Sequence, residues 1–369
     1  MNNWEDRLRA WVAQYALVIG SAAVLLLGLA VRAFGLAVTI PETVPWLDVL
    51  PGNAILAQKL TATLLDAALC AACVTLLREL LPKEQRALGG FVGFALCWLH
   101  PLPMMSAAVW GQADAGVAAL CVLAVLAYLR GKPGWAMTAL GLGIAWKPQA
   151  AFLLPLFAIL YLCGPKRFCL LWLLLAPAFW ALRGTVALLL GAESAFRCTL
   201  WQPGNPMTNG CPNLFAIVGT PAGVPDMAYE ILACLGAAAA LGLMGGMGLM
   251  LTLRGRTLQK RTVTLLGAWC VLCCTFFLPG MQARCGLAGE MLLLCWAISR
   301  ANRRGWGYVL LGVLPTLSAY MGALFERPFL PLEQGGYLAL LLLVSLTWEL
   351  WRETAAPARQ TAAEGRVLQ

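Results

Sequence analysis

The chain has 369 residues, of which 61% are hydrophobic and 12% are charged, and its formal net charge is +9 at pH 7. Soluble domains carry about 25% charged residues. The composition therefore excludes a soluble globular protein and indicates an integral membrane protein. Apolar runs of about 15–25 residues recur along the whole length, and each is long enough to form a membrane helix.

These runs predict an all-α polytopic membrane protein with about twelve transmembrane helices. The predicted spans are residues 11–37, 58–77, 88–103, 114–129, 134–146, 150–163, 168–190, 227–252, 263–279, 287–299, 306–323 and 336–351. They form a single domain over residues 1–351, followed by a disordered cytoplasmic tail over residues 352–369. Several spans are shorter than the roughly 20 residues that a bilayer requires, which predicts short, broken helices around a cavity that opens to the outer side.

Basic residues predict the orientation. Of the 26 Lys and Arg residues, 19 lie in the segments that the span order puts on one side, at residues 1–10, 78–87, 130–133, 164–167, 253–262, 300–305 and 352–369. The positive-inside rule assigns these segments and both termini to the cytoplasm. The same rule explains the net charge, so the lipid bilayer is an expected partner and nucleic acid is not.

The cysteines and the single histidine indicate no metal site. Most of the 14 cysteines lie inside predicted helices, where cysteine behaves as a small hydrophobe. His100 has no cysteine or histidine neighbours at metal-ligand spacing. Cys198 and Cys211 share one predicted outer loop and form a disulfide if that compartment is oxidising.

Two charges inside apolar sequence are candidate functional residues. Asp114 and Lys147 would each cost about 2.5–3.5 kcal/mol at mid-bilayer, and such residues are functional-site hypotheses by default. Asp114 is either a helix-capping carboxylate or an acid/base or substrate-binding group. Lys147 is either a snorkelling lysine or a cation for a phosphate, with Gln149 as an added amide donor. Arg284, in the fifth predicted outer loop, is either an ordinary loop charge or a second phosphate contact.

The run from Ala107 to Pro155 resembles polytopic GT-C-type glycosyltransferases, and most of all the bacterial relatives of the second mannosyltransferase of GPI-anchor synthesis. Their W-G-Q-x-D and K-P-Q motifs match residues 110–114 and 147–149, on either side of an apolar hairpin. PNLF at 212–215 is similar to their N-L-W element, and PWLD at 45–48 is similar to their Pro-Trp element. The fifth loop departs from the family, which often has M-H-E-R-Y where this chain has MQARC at 281–285.

The resemblance implies a mannosyl- or other hexosyltransferase. It would move a sugar from a polyprenyl-phosphate donor to an extracytoplasmic glycan or glycolipid, at the outer face of a bacterial cytoplasmic membrane. No cofactor is implied, because the lipid-linked sugar is itself a substrate and no metal is evident. The implied catalytic carboxylates are Asp114, Glu42 and Asp48. The implied substrate-binding residues are Trp110, Gln112, Lys147, Gln149, Asn213 and Arg284.

Two other functions fit the same sequence. The altered fifth loop fits a catalytically degenerate relative that binds a lipid-linked sugar or a partner. A transporter or flippase also fits, because transporters combine many spans with broken helices.

Overall fold

A computed structural model describes residues 3–38, 54–163, 169–189, 191, 206–219, 226–255 and 258–355. Most of the described residues are helical, and the described ranges contain no β-strand. The first seven α-helices are α1 (Asn3–Ala37), α2 (Ala54–Leu80), α3 (Arg86–Trp98), α4 (Pro101–Met104), α5 (Asp114–Leu129), α6 (Pro133–Trp146) and α7 (Leu154–Cys163). The others are α8 (Leu175–Leu189), α9 (Leu214–Val218), α10 (Asp226–Arg254), α11 (Lys260–Phe277), α12 (Leu287–Arg300), α13 (Arg303–Phe325) and α14 (Leu332–Ala355).

The all-α membrane architecture is confirmed, but the predicted number of about twelve spans is not. Within the described ranges, six helices are long and apolar enough to cross a bilayer: Gln14–Ala37, Ile55–Leu80, Leu170–Leu189, Met227–Arg254, Lys260–Phe277 and Arg303–Phe325. A bent pair, Lys83–Trp98 with Pro101–Val109, would make a seventh, with a 44° bend at its break. Several other helices are too short for this test, since α5 has 16 residues and α6 has 14, whereas α14 has 24 residues but is not among the six.

Prolines set the breaks between the short helices. The residue before a proline is driven away from helical backbone angles, and Lys147 is extended at φ −139° and ψ 130° ahead of Pro148. A short 3₁₀ segment, Pro148–Leu153, then leads into α7. The predicted interruption at residues 147–149 is therefore present.

The helices α11 and α12 form the centre of the molecule. Nearly every residue of both helices is buried. They pack against each other, and α12 also packs against α2, α5 and α13. By contrast, α1 and α8 lie at the periphery, where most of their apolar side chains are exposed, as expected for helices that face lipid.

The bundle has two chemically different ends. At one end, Glu79 of α2 accepts hydrogen bonds from Arg130, which follows α5, and from Lys260 at the start of α11. We call this the basic end. The opposite end holds the start of α5, the end of α6 and the start of α12, and we call it the site end. The last helix, α14, begins at the site end and continues to Ala355, while residues 356–369 of the predicted tail lie outside the described ranges.

A buried ion pair joins the first three helices. Arg32 of α1 donates from Nη2 to Asp66 Oδ2 of α2 at 2.5 Å, and both side chains are 1% exposed. The same guanidinium donates to the Trp98 carbonyl at 2.9 Å and lies 3.5 Å from the centre of the Trp98 ring. Because each charge is paired and hydrogen-bonded, the pair is tolerated within the bundle, and it fixes α1 against α2 and α3.

Candidate functional site

A tight loop between α4 and α5 positions the start of α5. Gly111 has a φ of +74°, a conformation that L-residues with a side chain rarely adopt. Its carbonyl accepts a 3.0 Å hydrogen bond from the Gln58 side chain, and the Gln112 N–H donates to the Ser106 carbonyl at 2.8 Å. These contacts fix Trp110 and Asp114 at the two ends of the loop.

Asp114 is bound by both polar residues of the second motif. Lys147 Nζ donates to Asp114 Oδ1 at 2.6 Å, and Gln149 Nε2 donates to the same oxygen at 2.8 Å. The helices α5 and α6 run antiparallel, so the first residue of α5 meets the residues that follow α6. Gly116 lets the two helices approach, because a Cβ there would lie 2.8 Å from the Trp146 ring.

Arg284 approaches the other oxygen of the same carboxylate. It belongs to the short 3₁₀ segment Ala283–Gly286 that precedes α12. Its Nε lies 3.8 Å from Asp114 Oδ2, and its guanidinium carbon lies 4.8 Å from the centre of the Trp110 ring. Three segments that are far apart in the sequence therefore meet at Asp114. We call Asp114, Lys147, Gln149 and Arg284 the Asp114 cluster.

Two polar atoms of the Asp114 cluster remain unsatisfied. Among the described residues, neither Asp114 Oδ2 nor Arg284 Nη1 has a hydrogen-bond partner, although both atoms are buried. Buried polar atoms in native proteins are nearly always paired. An unused acceptor therefore lies next to an unused donor within the Asp114 cluster.

The contacts of Asp114 and Lys147 differ from those of a helix cap and of a snorkelling lysine. Asp114 is 2% exposed and bonds across to residues 147 and 149, so its carboxylate does not act as a cap for α5. The N-cap of α5 is Ala113, which makes no side-chain capping bond. Lys147 turns inward to the carboxylate and does not extend away as a snorkelling lysine would.

The cluster carries one more positive charge than negative charge, because it holds one carboxylate, one ammonium and one guanidinium. Such a site suits an anion, and Arg284 still has an unpaired donor for it. Cys285 lines a small cavity together with Asp114, Gln149 and Arg284. Burial raises the pKa of its thiol to about 11, so Cys285 is protonated at neutral pH.

Other predicted site residues lie elsewhere or outside the described ranges. Asn213 is fully buried and caps α9, accepting the Ala216 N–H at 3.1 Å. Gln112 is buried in the loop before α5. Glu42, Asp48 and Cys198 lie outside the described residues, so the roles of the two carboxylates and the disulfide to Cys211 stay predictions.

Sequence reasoning missed one aromatic neighbour of the cluster. Tyr320 of α13 meets Trp110 edge to face, with ring centres 5.7 Å apart. Both residues line a cavity of about 430 Å³ beside the cluster. Nothing in the apolar sequence of α13 distinguishes Tyr320 from a core aromatic residue, and only the folded contact reveals it.

The comparison with known families covers most of the site. The model of glycosyltransferase family 87 matches residues 46–279, which is more than half of the chain and includes Asp114, Lys147 and Gln149. No curated protein sequence matches the chain. The match supports the predicted membrane glycosyltransferase of GT-C type, whereas the finer resemblance to the second mannosyltransferase of GPI-anchor synthesis is not confirmed. The chain belongs to glycosyltransferase family 87.

Proposed function

We propose that the protein transfers a hexose, mannose in the simplest case, from a polyprenyl-phosphate donor to a hydroxyl group of an extracytoplasmic glycan or glycolipid. The observation that carries this proposal is the convergence of Lys147, Gln149 and Arg284 on the buried Asp114 carboxylate. Family membership supplies the reaction class, and the charges of the cluster support the choice of a phosphate-linked donor.

The two unsatisfied atoms suggest a division of labour. Asp114 Oδ2 would accept the proton of the acceptor hydroxyl while the acceptor oxygen bonds to the sugar C1 atom and the bond from C1 to the phosphate oxygen breaks. A positioned base of this kind gives about 10²–10⁴-fold in rate. Lys147 and Arg284 would stabilise the negative charge that grows on the departing phosphate, which is often the larger contribution.

Glu42 and Asp48 are the alternative bases. If one of them takes the proton, Asp114 becomes the residue that orients Lys147 and Arg284 toward the phosphate. In either arrangement, loss of the Asp114 carboxylate removes the common anchor of both cations.

The charge distribution supports an outward-facing site. Arg130 and Lys260 lie at the basic end, whereas the Asp114 cluster lies at the site end. If the positive-inside rule holds, the basic end is cytoplasmic and the cluster would receive its donor from the outer leaflet of a bacterial cytoplasmic membrane.

The test is sugar transfer by the purified protein in proteoliposomes. Polyprenyl-phosphate mannose and polyprenyl-phosphate glucose would be offered with a mixed pool of acceptors, and labelled product would be measured. We expect Asp114→Asn to lower the rate at least about 100-fold without lowering the amount of folded protein. The matched control is Glu333→Gln, because Glu333 is an exposed carboxylate on the first turn of α14 at the same end.

Full activity of Asp114→Asn would refute the proposed role of the carboxylate. Any measurable transfer by the wild type would exclude the degenerate relative. Neither that alternative nor a transporter is favoured by membership in a glycosyltransferase family.

A further inference from the structure

A second cavity adjoins the Asp114 cluster, and its chemistry differs from that of the cluster. Its volume is about 430 Å³, within the range of about 300–1,000 Å³ that is typical of small-molecule sites. Trp110 connects the cavity to the Asp114 cluster, because its ring contacts the Arg284 guanidinium and also lines the cavity. A molecule in this cavity would therefore lie directly beside the charged cluster.

The described residues that line this cavity are all uncharged. Its polar side chains are Asn209, Gln282 and the indole and phenol of Trp110 and Tyr320. The other lining residues are small or apolar: Gly210, Ala283, Ala319, Gly322, Ala323, Pro328, Leu330 and Leu332. Lys and Arg make the strongest hydrogen bonds to a phosphate or carboxylate, and none of the described lining residues is of either type, so this lining favours a neutral ligand.

Backbone hydrogen bonds hold the two segments that carry these amides next to each other. The Asn209 N–H donates to the Met281 carbonyl at 3.1 Å, and the Gly280 N–H donates to the Met207 carbonyl at 2.8 Å. Residues 206–213 and 279–282 are thereby fixed next to each other. An amide both donates and accepts hydrogen bonds, which matches the hydroxyl groups of a sugar.

The two aromatic residues of the cavity add a flat apolar surface beside the polar amides. Trp110 and Tyr320 meet edge to face, and an aromatic ring presents a flat apolar face with a partial negative charge. The C–H face of a pyranose ring is flat, apolar and slightly positive. Paired amides beside an aromatic corner therefore match a ligand with hydroxyls on its rim and C–H groups on its face.

We propose that this cavity binds an uncharged sugar ring of the acceptor, with Gln282 and Asn209 bonding its hydroxyls and Trp110 packing on its C–H face. This inference rests on the proposed function. It narrows the acceptor to a molecule whose reacting end is a neutral saccharide. It also assigns the specificity for that acceptor sugar to residues 209 and 282. Gln282 lies two residues before Arg284, so a bound ring would lie next to the unsatisfied atoms of the cluster.

The test is ligand-observed saturation-transfer NMR on the full chain in nanodiscs, with methyl hexopyranosides as probes and no donor present. We expect ring protons of at least one neutral hexoside to receive saturation, and the corresponding methyl uronoside to receive much less. Ala323→Trp fills the rim of the cavity and should abolish the signal. Gln282→Leu should weaken hexoside binding about tenfold, the effect of about one lost hydrogen bond.

The control is Gln85→Leu, because Gln85 is an exposed amide at the basic end, far from this cavity. The hexoside signal of this variant should equal that of the wild type. No hexoside signal in the wild type, or an unchanged signal in Ala323→Trp, would overturn the inference. Hexoside binding in this experiment, together with no sugar transfer in the proteoliposome assay, would refute the proposed function and leave this site standing, so the two failures are distinguishable.

Discussion

At the residue scale, the site depends on one carboxylate that has three polar neighbours from two other segments of the chain. Asp114 shares Oδ1 between Lys147 and Gln149, and Arg284 lies beside Oδ2. Removal of the carboxylate would leave two cations close together, and removal of Lys147 would leave a buried anion with fewer partners. Residues in one such network act as a unit, so their substitutions are expected to be strongly non-additive.

The sequence allowed part of this site to be predicted. Asp114 and Lys147 stand out because a charge in an apolar run is costly, and Pro148 marks where the helix must break. The contact of Arg284 with Trp110 was not predictable, because it depends on how α12 packs against α5. Tyr320 was missed for the same reason, since an aromatic residue in a membrane helix carries no signal of its neighbours.

At the element scale, close helix contacts explain why small residues occur where they do. Gly236 of α10 faces the end of α11, and a Cβ there would lie 2.1 Å from the Phe277 carbonyl oxygen. Gly242 lies on the same helix with nothing within 4 Å of its would-be Cβ. Packing therefore requires a glycine at position 236 and does not require one at position 242, so substitutions at these two positions can be compared directly.

We expect Gly236→Ala to destabilise the protein by about 1–3 kcal/mol, the typical effect of overpacking a tight contact. Gly242→Ala should be neutral or stabilising by up to about 1 kcal/mol, because alanine is the better helix former. Thermal unfolding in detergent, followed by circular dichroism, measures both. Equal melting temperatures for the two variants would show that α10 and α11 do not pack as described.

The element scale also shows the limit of prediction from hydropathy. The positions of the apolar runs predict the helices well, since α5 and α6 begin within a residue of the expected positions 114 and 134. The number of spans was not predictable in this way. A short helix buried among others, such as α12, has the same apolar composition as a helix that crosses the bilayer.

At the scale of the whole molecule, the separation of charges predicts which end of the bundle faces the cytoplasm. The basic end carries the pairs of Glu79 with Arg130 and Lys260, and the site end carries the Asp114 cluster. The base and the phosphate site that we propose would lie at the end opposite these positive residues, which fits chemistry on the outer leaflet. The orientation is a prediction of the positive-inside rule.

Cysteine labelling in intact cells tests this orientation. Arg327 lies in the exposed connection between α13 and α14 at the site end, and Lys132 lies in the exposed connection between α5 and α6 at the basic end. We expect a membrane-impermeant maleimide to label Arg327→Cys in intact cells and to label Lys132→Cys only after lysis, above the background of the unsubstituted protein. The reverse pattern would put the site on the cytoplasmic side.

The measurement that tests the central claim most directly is a double-mutant cycle on the rate of sugar transfer. The variants are Asp114→Asn, Lys147→Met and the combination of both, assayed in proteoliposomes with the polyprenyl-phosphate donor. If the two residues form one catalytic unit, each single variant loses at least about 100-fold, and the double variant loses no more than about threefold beyond the worse single one. Losses that multiply, to about 10⁴-fold or more, would mean that Asp114 and Lys147 act independently and would contradict the account.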